Sequence, residues 1–80
     1  MNEYTFTLRF RLSDERADPE HHLGSLLRAG CDDATVGVGL AGRVALMFAR
    51  RSTSKRNAIL SAIRDVRTGI PGAQLISRSL

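Results

Sequence analysis

The 80-residue sequence has one cysteine, two prolines, no tryptophan and only 5% aromatic residues. A single cysteine excludes an intrachain disulfide framework and a cysteine-rich zinc module. No apolar run approaches the ~18 residues of a membrane span. The N-terminus lacks the basic-then-apolar order of a signal peptide, and no membrane partner is expected. Acids are scarce in the second part of the chain. Residues 1–33 carry seven acids and four bases, whereas residues 34–80 carry eight bases and one acid, Asp65. The net charge of +4 therefore hides a separation of about −3 from +7.

What is present is enough for one small domain spanning 1–80. Apolar residues make up 42% of the chain, above the range of disordered sequences. A domain of this length buries only about 60% of its unfolded surface, which leaves little material for a deep catalytic cleft.

Tyr4, Phe6, Leu8, Phe10 and Leu12 alternate with Thr5, Thr7, Arg9 and Arg11, the period-2 pattern of a half-buried strand. Asp18-Pro19-Glu20 reads as a helix start, Leu23, Leu26 and Leu27 as its apolar stripe, and Gly30 as its terminator. Thr35–Val38 and Arg43–Ala49 read as strands joined through Gly39-Leu40-Ala41-Gly42. Ser52-Thr53-Ser54 offers caps for a second helix over about 54–68, with Ile59, Ile63, Val66 and Ile70 as its core stripe. Ala73–Ser77 completes the order as a short last strand. The succession β-α-β-β-α-β predicts an α+β, ferredoxin-like sandwich, a four-stranded antiparallel sheet with two helices on one face.

Several apparent motifs fail on context. Gly37-Val38-Gly39-Leu40-Ala41-Gly42 matches G-x-G-x-x-G, but it feeds a strand rather than a helix, so no helix N-terminus would meet a pyrophosphate. Cys31 sits at a helix C-terminus, where the dipole disfavours a thiolate. His21 and His22 are adjacent on a helix and diverge by about 100°, so they do not converge on a metal. Base stacking of the RNA-recognition type needs aromatics on the open sheet face. Placing Tyr4, Phe6 and Phe10 there would bury Arg9 and Arg11 unpaired. An acylphosphatase signature is absent in recognisable form, Arg43 alone being too little. No cofactor and no catalytic residue are therefore expected, and an enzyme or small-molecule sensor ranks last.

Two surfaces remain as candidates. The first is a basic patch of Arg50, Arg51, Lys55 and Arg56 continued by Arg64 and Arg67; at about 100° per residue the last three arginines share one flank of the second helix. Such a patch suits an acidic protein surface or nucleic-acid phosphates. The second is the open sheet face of Thr5, Thr7, Arg9 and Arg11 with Arg43, Ala45, Met47 and Ala49, a surface for a partner or for a homodimer.

Tyr4–Leu8, Gly30–Gly39, Gly42–Leu46, Ala58–Val66 and Ile70–Ala73 together resemble the N-terminal domain of a little-characterised group of bacterial helix-turn-helix DNA-binding proteins, the Gly-Cys-Asp-Asp-Ala segment most specifically. The resemblance covers about residues 3–76 and implies a bacterial, cytoplasmic setting without assigned catalytic residues. Here no DNA-reading half follows within the 80 residues, and the stretch after the third strand, typically acidic in that group, reads Arg50-Arg51-Ser52-Thr53-Ser54-Lys55-Arg56. The expectation is a non-enzymatic interaction protein docking on a protein complex. By analogy it could serve a phage or mobile element as an inhibitor of host defence, such as an anti-CRISPR protein. The alternative is an accessory module of a DNA-binding regulator that grips the nucleic-acid backbone without base specificity.

Overall fold

The computed structural model describes residues 1–13, 19–37 and 41–79. The expected Asp18 cap, the end of the second strand at Val38 and the turn residues Gly39 and Leu40 lie outside them. Strands β1 (Asn2–Arg11), β2 (Ala34–Gly37), β3 (Arg43–Ser52) and β4 (Gln74–Ser79) form one sheet in the order β2-β3-β1-β4. All its pairings are antiparallel. Helices α1 (Leu23–Ala29) and α2 (Lys55–Gly69) complete the β-α-β-β-α-β arrangement, with a 3₁₀ turn at Pro19–His22 leading into α1. The small α+β, ferredoxin-like fold expected from the element order is the one observed.

The alternation in β1 has the expected result. Phe6, Leu8 and Phe10 are buried beneath the helices, and Leu12 continues them just past the strand. Val44, Leu46 and Phe48 of β3 lie opposite Phe10, Leu8 and Phe6. The rings of Phe6 and Phe48 stack at 5.3 Å. Each such side chain, fully buried, contributes about 1.5–3 kcal/mol of transfer free energy.

From α2, Ala58, Ile59, Ala62 and Val66 cover this layer, and Ile63 is half-buried. Ser54 caps α2, its Oγ accepting from the Asn57 N–H at 3.1 Å. Gly69, the last residue of α2, lets the two helices touch: a Cβ there would stand 3.0 Å from Ser25 O and 3.1 Å from Leu26 Cα.

Helix α1 departs from expectation. Of the expected stripe only Leu26 is buried; Leu23 and Leu27 are 37% and 60% exposed. A seven-residue helix that leans on α2 through Leu26 has one position to bury, not a stripe. Its end follows the glycine rule. Gly30 takes φ 110°, its N–H donates to Leu27 O, and the Cys31 N–H donates to Leu26 O.

Candidate docking site

The strand that matters most for the surface is β3, which runs to Ser52 rather than to Ala49. Its inward parity of Val44, Leu46 and Phe48 therefore reaches Arg50, which is 8% exposed. The guanidinium is held from every side. Its Nε donates to Asp33 Oδ2 at 2.7 Å and its Nη2 to Asp33 Oδ1 at 3.0 Å, a bidentate pair. Nη2 also donates to Gly30 O at 2.9 Å, and Nη1 donates to Ser61 Oγ at 3.0 Å while lying 3.0 Å from Asp65 Oδ2. The charge rests 5.0 Å above the Phe48 ring centroid. Hydrogen bonding to Asp33 raises its pKa above the already high ordinary value, outweighing desolvation by burial.

This corrects the basic patch. Arg50 is not a docking residue but a cross-link joining β3, the loop before β2, the end of α1 and α2. Among the described residues no buried side-chain polar atom is left without a partner. Arg51 leaves the patch as well. It points with the opposite parity and stands in register with Glu3 of β1, on the open sheet face.

Arg56, Arg64 and Arg67 are exposed on α2, as their helical spacing implies, and Lys55 is half-buried at its start. Arg64 Nε leans towards Asp65 Oδ1 at 3.6 Å. The sequence reading did not include Arg78 of β4. In register with inward-facing Leu8, it stands on the helix side of the sheet. Lys55, Arg56, Ile59, Leu60 and Arg78 line an open cleft of about 440 Å³ between α2 and β4. Leu60 is 51% exposed in it. Arg56, Arg67 and Arg78 enter no ion pair among the described residues. The one acid beyond residue 33, Asp65, is spent on Arg50 and Arg64. The α2–β4 flank thus combines an apolar floor with the unpaired charges of Arg56 and Arg78.

The open sheet face has a different character. Thr5, Thr7, Ala45 and Ala49 make it low and flat, and Met47 stands 55% exposed near its middle. Arg9 and Arg11 lie across the sheet, donating to Ser79 Oγ at 3.0 Å and Gln74 Oε1 at 2.9 Å. Arg43 faces Arg11 in register, a like-charge pair that Arg11 relieves by turning to Gln74.

Cys31 is buried, and desolvation together with the nearby Asp65 raises its thiol from 9.0 to about 11, the reverse of an activated nucleophile. Among the described residues no three His, Cys, Asp or Glu side chains group as metal ligands. Nor is any helix there long and apolar enough to cross a membrane. Comparison with protein-family models, with curated proteins and with solved structures finds no match to the chain, so the surface chemistry carries the functional argument.

Proposed function

We propose that this chain is a non-enzymatic interaction domain whose α2–β4 flank docks an acidic protein surface. The observation that carries the reading is the flank itself. Leu60 and Ile59 line a cleft edged by Arg56 and Arg78, on a half of the chain whose single acid is already engaged. Arginine beside exposed apolar surface is the composition of interface centres rather than of solvated surface. In keeping with the small size and the resemblance to a regulatory domain, the role we favour is an inhibitor of a host defence complex, of the anti-CRISPR kind. It would act by occluding an acidic face of that complex in the cytoplasm.

A second reading is favoured by Arg9, Arg11 and Arg43, which gather at one end of the open sheet face. There an accessory module of a bacterial regulator, alone or as a homodimer, would meet the nucleic-acid backbone. Fluorescence anisotropy with a labelled random-sequence duplex and with a labelled acidic peptide separates the two. The docking reading expects the peptide to bind at ~100 mM salt, with Arg56→Glu/Arg78→Glu abolishing capture and duplex affinity negligible. Tight duplex binding with a steep salt slope, lost in Arg9→Glu/Arg43→Glu, would transfer the function to phosphates.

A further inference from the structure

The geometry points to strand addition: we infer that the acidic partner supplies an extended segment that pairs with the outer edge of β4 as a fifth strand. The inference rests on the docking reading above and specifies how the partner is held.

β4 is the terminal strand of the sheet and pairs with β1 on one side only. All six of its residues are exposed, Leu75 at 39% and Ile76 at 47% among them. Edge strands are normally blunted by proline, by inward-pointing charge or by a covering element. Gln74–Ser79 has no proline, but it carries an inward-facing charge, Arg78, and a bulge at Ile76, where the register with β1 shifts between Arg9 and Phe10; both work against a second copy of the same strand, whereas Arg78 suits an acidic one. Backbone donors and acceptors along such an edge give affinity to any extended chain, and alternate side chains give the specificity.

The specificity can be read from the register. Leu75 opposes inward-facing Phe10 and Arg78 opposes inward-facing Leu8, so both stand on the helix side, where Arg56 and Leu60 of α2 form the other wall of the cleft. Gln74, Ser77 and Ser79 oppose Arg11, Arg9 and Thr7 on the open face. An incoming strand therefore meets apolar surface and positive charge on one of its faces, and small polar side chains on the other. The matching segment alternates apolar and acidic residues at every second position, with small polar residues between them.

A second copy of the chain is a poor occupant. Pairing β4 with its twin would bring both copies of Arg78 and both α2 flanks to one seam, with no acid on either strand to offset them. Charge complementarity selects a different chain.

The test uses a fluorescein-labelled peptide in which Leu and Glu alternate at every second position, with Thr between. Two derivatives are N-methylated, each on one of the two alternate sets of amides. The parent is expected to bind the 80-residue chain at ~100 mM salt and to slow amide exchange at β4. One N-methylated derivative should lose roughly tenfold or more in affinity while the other keeps it, because only one set of amides faces the edge. Near-equal binding of both derivatives would overturn strand addition and leave docking by charge and apolar contact standing. No binding of the parent, or binding unaffected by Arg56→Glu/Arg78→Glu, would overturn both. A free chain that sediments as a dimer through β4 would also overturn the inference, in favour of self-pairing.

Discussion

Replacing Arg50 with methionine keeps an unbranched apolar stem but removes the charge and every hydrogen bond the guanidinium donates. Asp33 and Asp65 would then face each other's surroundings with no cation between them, their side chains 28% and 17% exposed. Breaking a buried ion pair from one side costs about 3–5 kcal/mol, because the remaining charge is stranded. Water reaches Asp33 through its exposed part, so the lower end, about 3 kcal/mol, applies. At roughly 0.05–0.15 kcal/mol per residue, a domain of this length has a total stability of about 4–12 kcal/mol. The loss is therefore a large fraction of it, and corresponds to a fall in Tm of about 12–24 °C. Urea unfolding followed by far-UV circular dichroism reads the change directly as a lower midpoint at constant slope. Adding Asp33→Asn and Asp65→Asn to Arg50→Met should recover about half of the loss, since the stranded charges are gone. A single variant within about 0.5 kcal/mol of the parent would refute the reasoning, as would a triple variant no more stable than Arg50→Met.

Three further outcomes follow from the packing. Cys31 keeps its proton to about pH 11 when folded but ionises from 9.0 when unfolded, so stability present below pH 9 is lost as pH rises through that window. Denaturant midpoints from pH 8 to 11 should fall by the equivalent of about 2 kcal/mol, and Cys31→Ala should flatten that slope. Gly69→Ala gains helix propensity of about 1 kcal/mol but drives a methyl into Ser25 O and Leu26 Cα. Overpacking of about 1–3 kcal/mol against that gain leaves a net destabilisation of about 0–2 kcal/mol in thermal melts. Ser54→Ala removes the acceptor for the Asn57 N–H and should cost about 1 kcal/mol, which Ser54→Asp should largely restore.

The architecture was legible because its signals are local. The alternating residues Phe6, Leu8, Phe10 and Leu12, and Ile59 and Val66 at helical spacing in α2, each report their own burial. The same rule, followed two residues further, would have revealed Arg50. Val44, Leu46, Phe48 and Arg50 share one parity, and ending the strand at Ala49 turned a buried arginine into a surface one. Its partners were not legible. Asp33 and Asp65 lie 17 and 15 positions away; the pairing of β2 with β3 brings the first to the guanidinium, and the packing of α2 over β3 brings the second. The leucines around Leu26 misled for a related reason. Periodicity states which residues share a face, but the amount of neighbour available to cover that face decides how many are buried. Arg78 entered the site only through its register with Leu8, a pairing across 70 positions that no local pattern encodes.

The central claim is that charge works outward on the α2–β4 flank and inward at Arg50. It is tested most directly by titrating the labelled Leu/Glu peptide against two double variants at matched salt. The account predicts that Arg56→Glu/Arg78→Glu lowers affinity at least roughly tenfold, whereas Arg9→Glu/Arg43→Glu on the open sheet face leaves it within about twofold of the parent. Loss of binding in the open-face variant with retention in the flank variant would contradict the account and place the interface on the other side of the sheet.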